Sequence, residues 1–169
     1  MSIVNKPDVS GPLIWFYVAI VAFIAALGVF ISYIYLQTLR IEVLVGLVVI
    51  VGVEVVIASL LASLWSTKYV LSEQKLIVKA SVLVGGTKRI PLKSIESIER
   101  TLIPFGFRLF GASFYGGYYY FPGVGRAFMV MTNFKDGVLL KTKHGNYIIT
   151  PKNPENFMQA VEKMRRAAQ

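Results

Sequence analysis

A chain of 169 residues with 55% hydrophobic and 16% charged side chains is more apolar and less charged than an ordinary soluble domain, and its mean hydropathy is +0.60. It has no cysteine and one histidine, which excludes a disulfide framework, a thiolate metal site, a cysteine nucleophile and a histidine-based metal cluster within one chain. The net charge of +9 is unevenly placed: residues 1–65 hold two basic and three acidic residues, whereas residues 66–169 hold 16 and six, a net charge of +10. Such segregation predicts a membrane part followed by a solvated, basic part.

Residues 1–12 read as an N-terminal tail. Residues 13–36 then form an uncharged apolar run. As a helix it reaches roughly 36 Å, enough to cross a hydrocarbon core of about 30 Å. Trp15, Phe16 and Tyr17 at one end and Tyr33 and Tyr35 at the other fit the two interfaces. Pro12 sits where a first helical turn tolerates it. The second run, 43–65, has one charged residue, Glu54. The short segment 37–42 between the runs makes them antiparallel neighbours, a transmembrane helical hairpin. The first run is longer than a signal-peptide core and a second span follows, so cleavage is not expected. The loop has one basic residue, Arg40, against Lys6, Lys68, Lys75 and Lys79 on the other side. Both termini and the basic domain are therefore expected in the cytoplasm of a two-span protein of the cell membrane. Ala22 with Ala26, Ala58 with Ala62, and Ser59 with Ser63 are candidates for helix packing.

A carboxylate midway through a span costs a few kcal/mol. Glu54 is read either as a protonated, hydrogen-bonded structural group, as a contact in a larger assembly, or as a proton-path group; neither span supplies a basic partner.

From residue 67 onward, short alternating runs replace the continuous ones. Strands are predicted at 68–71, 76–84, 87–90, 95–102, 127–132, 138–142 and 147–150, about seven in all. The turns fall at 72–75, Gly85-Gly86, Asp136-Gly137 and His144-Gly145-Asn146. Pro154 or Glu155 opens a terminal helix to about Ala167, with Phe157, Ala160, Val161 and Met164 on one face.

The order of hairpins closed by Lys143-His144-Gly145-Asn146, then Tyr147-Ile148-Ile149-Thr150, Pro151 and Asn153-Pro154-Glu155-Asn156-Phe157, resembles the prokaryotic pleckstrin-homology-like (bacterial PH) domain family. The glycine-rich segment before the 127–132 strand is also similar. The resemblance covers roughly residues 67–166. It implies a domain (67–169) of about seven antiparallel strands capped by a C-terminal helix, often preceded in that family by one or two membrane spans, and a binding scaffold with diverse partners. The fold class expected is thus a membrane α-helical hairpin plus an α+β, mainly-β PH-like domain.

Residues 104–125 have the most unusual local composition: Phe105, Phe107, Phe110, Phe114, Tyr115, Tyr118, Tyr119, Tyr120 and Phe121 interleaved with glycines. They read as a loop dipping into the membrane interface, as a docking surface for a neighbouring subunit, or as a core strand pair with glycine bulges. Arg108 and Arg126 flank them and are candidates for lipid phosphates. Lys68, Lys88 and Arg89, with Arg100, Lys141, Lys143, Lys163, Arg165 and Arg166, are candidates for anionic headgroups, against the simpler reading of a solvated basic face. Nucleic acid is not expected as a partner of a membrane-tethered domain.

Gly85-Gly86-Thr87-Lys88 lacks the spacing and following helix of a phosphate loop. No pair of acidic residues is placed for acid/base work. No enzyme activity, cofactor or metal is expected. The sequence predicts a non-enzymatic membrane-anchored interaction module that meets lipids and binds a protein partner or assembles with its own copies. The alternatives are an accessory subunit of a larger membrane complex through Glu54, or a transporter or proton-path component using Glu54.

Overall fold

The computed structural model describes residues 3–82, 85–103, 105–113, 115–133 and 135–168. They form two compact units, residues 11–62 and residues 1–10 with 63–169.

The first unit is a helix pair. Helix α1 (Gly11–Thr38) has 28 residues and α2 (Ile41–Ser66) has 26, and both are long and apolar enough to cross a membrane. Leu39 and Arg40 alone separate them. Leu39 takes a φ of 51° and donates its N–H to the Tyr35 carbonyl at 2.7 Å, an αL cap that turns the chain back sharply. A half-buried stripe of Leu44, Leu47, Ile50, Glu54, Ile57 and Leu61 runs along α2, and Val21, Ile24, Ala25 and Gly28 form one on α1. At Gly28 the two helices come near each other, and a Cβ there would lie 3.6 Å from Ile50 Cγ2. The expected small-residue pairs do not make this contact: Ala22, Ala26, Ala58, Ser59 and Ala62 are exposed.

The second unit is the β body. Strands β1 (Ile3–Asn5), β2 (Lys68–Leu71), β3 (Lys75–Lys79) and β4 (Lys88–Pro91) form an antiparallel sheet in that order. A 3-10 turn, Leu92–Ser94, leads into β5 (Ile95–Leu102), β6 (Phe107–Ser113), β7 (Gly116–Phe121), β8 (Gly125–Val130), β9 (Asp136–Thr142) and β10 (Gly145–Ile149). Their order is β5-β9-β10-β8-β7-β6, antiparallel except for β10 beside β8. Helix α3 (Pro154–Ala168) follows, with Asn153 Oδ1 accepting the Asn156 N–H at 3.1 Å as its N-cap.

The hairpin-rich architecture with its terminal helix is the one expected. Two details differ. The glycine-aromatic segment supplies two further strands, β6 and β7. The strand predicted at 76–84 ends at Lys79, and its Val84 lies outside the described residues, as do Pro104 and Phe114 of the aromatic segment.

Alternation places Tyr69, Leu71, Leu76, Val78 and Ile90 on the buried face of the first sheet, with Phe157 and Val161 of α3 also buried. Central strands β8, β9 and β10 are buried on both faces. Phe128, Val130, Val138 and Leu140 lie on one, while Met129, Leu139 and Ile148 join Tyr119 and Phe121 on the other.

Burial pushes the Tyr69 phenol up to about 12, opposed by the Thr150 N–H donating to its oxygen at 3.4 Å. The folded value exceeds the unfolded one, so this stabilising contribution is complete below about pH 10 and is lost as pH rises toward 12. Two units correspond to about 2–3 kcal/mol. Thermal melts of the full chain across that window should show a steep alkaline loss that is shallower in Tyr69→Phe; equal slopes would refute the assignment.

Candidate binding surface

The residues that flank both helices meet at one end of the β body. The Ser10 N–H, one residue before α1, donates to the Thr132 carbonyl at 2.9 Å. At the other helix, Ser63 in the last turn of α2 shares a hydrogen bond with the Tyr115 hydroxyl at the tip of the β6–β7 hairpin. The Met131 N–H donates to the Tyr115 carbonyl at 2.6 Å, closing the group.

The N-terminal segment is woven into this end. The Asp8 N–H donates to the Thr150 carbonyl at 3.0 Å, and the Asp8 carbonyl accepts from Thr132 Oγ1 at 2.6 Å. Thr132 and Thr150 share a hydroxyl contact of 2.8 Å, and Asn133 Nδ2 donates to Asp8 Oδ2 at 3.1 Å. Thr132, Asn133 and Thr150 are buried, so each satisfied polar group avoids a desolvation cost of about 1–3 kcal/mol. Sequence reasoning missed this clamp, since isolated Thr and Asn at strand ends carry no pattern that pairs them with a segment more than 120 residues away.

The hairpin separates its aromatics by face. Tyr115, Tyr119 and Phe121 are buried, and Tyr119 stacks on Phe121 at 5.8 Å. Arg108 turns back onto Tyr119, its Nη2 donating to the hydroxyl at 2.9 Å. On the other face the register aligns Phe107 with Tyr120 and Phe110 with Tyr118, all exposed, and Arg126 with Tyr120. Phe105 packs edge-on against Phe107 at 5.7 Å and is 81% exposed.

The four sheet edges differ in protection. Strand β1 has only three residues, and β4 carries Lys88, Arg89 and Pro91. Strand β5 carries Glu96, Glu99 and Arg100, and Arg165 of α3 donates to the Ile95 and Glu96 carbonyls at 3.1 and 3.0 Å. Its charges are tied down as well: Glu99 pairs with Lys141 at 3.0 Å, which lowers the Glu99 pKa, and Arg100 pairs with Asp136 and Glu155. Short length, charge, proline and a covering helix are how proteins blunt sheet edges. Strand β6 instead displays Phe107, Leu109 and Phe110, each at least 49% exposed, and its one charged residue, the exposed Arg108, is hydrogen-bonded to Tyr119. Two register irregularities, after Arg108 and after Phe110, are its only interruption.

Of the residues singled out from the sequence, the structure brings together Lys88 with Tyr118, and Arg126 with Tyr120. The Lys88 ammonium lies 5.2 Å from the Tyr118 ring centre and 4.8 Å from that of Phe128. Arg89 is exposed across from Ile77, and Lys68 across from Lys79. Glu54 stands apart in the helix pair. Among the described residues no group of three metal-ligating side chains occurs.

The two-sheet body capped by α3, with an exposed aromatic edge and two long apolar helices before it, has the architecture of a PH-like domain. The family described as Bacterial PH domain matches residues 67–165, and the chain belongs to it. No curated protein and no solved structure matches the chain.

Proposed function

We propose that this chain is a non-enzymatic, membrane-anchored PH-like interaction module, whose β6 edge binds a protein partner or a second copy at the membrane surface. Two spans anchor it, with the N-terminus and the body on one side, the cytoplasmic one by the lysine and arginine balance. The hydrogen bonds from residues 8 and 10 to Thr132 and Thr150 support that arrangement, because they require both helix-flanking segments to lie on the same side. Confinement to two dimensions raises the effective concentration of a partner on the same surface.

The observation that carries the reading is the contrast of edges: three are blunted and the fourth presents Phe107, Leu109 and Phe110. An exposed antiparallel edge offers main-chain hydrogen bonds to an added strand, with side chains setting specificity. Phe107→Asp should lower the yield of the assembled species about 30-fold or more, the scale of losing an aromatic anchor of about 2 kcal/mol. Cross-linking in intact membranes followed by native electrophoresis reads this, with Lys163→Asp on α3 as the control. An unchanged assembled species in Phe107→Asp would overturn the proposal.

Glu54 supports a second contact of the same module, as an accessory subunit in a larger membrane complex. It is half-buried on α2 and has no hydrogen bond or ion pair among the described residues. A carboxyl at that depth gains from a polar group on another helix. Glu54→Leu should dissociate such a complex in mild detergent while Glu54→Gln retains it. Retention by both would leave the helix contact without support from Glu54.

A further inference from the structure

The sheet of β1 to β4 has one covered face and one open face. Tyr69, Leu71, Leu76, Val78 and Ile90 are buried on the covered face, where Phe157 of α3 meets Tyr69. The intervening residues point the other way, by the period of two. The register sets their arrangement. One row runs Val4, Val70, Ile77 and Arg89 across the four strands. Val4 and Arg89 are exposed, and Val70 and Ile77 are half-buried. On one side of this row Lys68 stands directly across from Lys79, and on the other side lies Lys75; all three are exposed. The open face is thus a short aliphatic strip with lysines on both flanks and Arg89 at one end.

Among the described residues, Lys68, Lys75, Lys79 and Arg89 form no ion pair. The four strands contain no Asp or Glu, and Glu73 lies in the β2–β3 turn, outside them. The other sheet treats its charges differently, since Glu99 pairs with Lys141, and Arg100 with Asp136 and Glu155. A face that only had to stay soluble would be served by interspersed signs. Here two lysines instead sit opposite each other, which destabilises the pair of strands until an anion lies between them.

We propose that this open face docks an acidic amphipathic helix of a protein partner, lying across the strands. Neighbouring strands are about 4.8 Å apart, so the strip from Val4 to Ile77 covers roughly 10 Å. Apolar residues at i, i+3 or i+4, and i+7 of a helix cover about the same length. The flanking rows lie roughly 7 Å to either side along the strands, within reach of carboxylates that border the apolar stripe. Each lysine and Arg89 then meets a carboxylate, and the Lys68–Lys79 repulsion becomes a shared attraction. A nucleic acid fits less well, because the strip and its flanks hold no aromatic ring on which a base could stack. Strand β6 belongs to the other sheet, so the inference does not rest on binding at the β6 edge.

The full chain in phosphatidylcholine nanodiscs and a fluorescent synthetic helix test this. The peptide is about 18 residues long, with leucine at helical spacing and glutamate on both sides of that stripe. It should bind the parent chain, and a peptide of the same composition in scrambled order should bind about tenfold more weakly. Lys79→Glu should weaken the helix about tenfold. The same substitution places a carboxylate across from Lys68, so the melting temperature should hold or rise, which separates a lost site from a lost fold. Ile77→Thr keeps a β-branched residue in the strand and should weaken binding several-fold. Equal binding of the scrambled peptide would overturn the site, and so would unchanged binding by Lys79→Glu. Lys79-dependent binding of a single-stranded oligonucleotide or of phosphatidylglycerol vesicles, tighter than that of the helix, would overturn it in favour of that ligand. Phe107→Asp should leave peptide binding unchanged whatever it does to assembly; loss of peptide binding there would place the helix on β6 and overturn the assignment to this face.

Discussion

Phe157→Ala should destabilise the β body by about 3–5 kcal/mol, the range for emptying a buried phenylalanine site. Phe157 is fully buried on α3 and meets Tyr69 edge-to-face at 6.1 Å. Few contacts replace it, because α3 holds the body through one stripe in which, among the described residues, Phe157 and Val161 alone are fully buried. A domain of this size has only about 5–15 kcal/mol of stability, so the loss is a large part of the total. The melting temperature of the full chain in nanodiscs should fall by about 10–20 °C. Amide exchange should rise first along α3 and β5, where Arg165 ties the helix to the Ile95 and Glu96 carbonyls. Phe157→Leu should recover most of the loss. A melting temperature within a few degrees of the parent for Phe157→Ala would show that α3 does not support the sheets.

Much of this architecture was legible because its signals are local. The two apolar runs and the amphipathic spacing of Phe157, Val161 and Met164 each follow from a few neighbouring residues, whereas Asp136-Gly137 and Gly145-Asn146, which carry a turn signal, are held in β9 and β10 by cross-strand pairing. The hairpin from 107 to 121 was less legible for a physical reason. Aromatics at nearly every position hide the period of two, and the bulges after Arg108 and Phe110 shift it, so inward Tyr119 and outward Tyr118 look alike in one dimension. Strand β1 was invisible, because three residues carry no period and its pairing with β2 depends on the chain returning after the whole helix pair. The candidate surface was half legible in the same sense. The aromatic and basic residue types stood out, but not that Arg108 hydrogen-bonds Tyr119 while Lys88 and Phe110 come to line one cleft. Side-chain chemistry is a property of the residue, whereas exposure is a property of the partner strand.

Gly117→Val provides the sharpest separation of site from scaffold. Gly117 holds a φ of 133°, a region open to glycine and strained by about 1–3 kcal/mol for other residues. A Cβ there would collide with the Phe110 carbonyl oxygen and come within 3.1 Å of the Gly111 Cα across the β6–β7 pair. Both contacts are backbone, so no side-chain rotation relieves them, and a β-branched residue adds bulk to the same gap. Strand β6 is therefore expected to detach from β7, at a cost of about 3 kcal/mol or more once lost pairing is added to strain. Strands β8, β9 and β10 keep their own buried faces and should stay folded. Amide exchange should rise more than tenfold across 107–121 with little change across 136–149, and trypsin should cut at Arg108, which loses the Tyr119 hydroxyl as its partner. Assembly through the β6 edge should disappear together with that protection. If the hairpin loosens and assembly persists, binding does not use this edge; if exchange in the hairpin is unchanged, the close approach of Gly111 and Gly117 is not what holds the strands together.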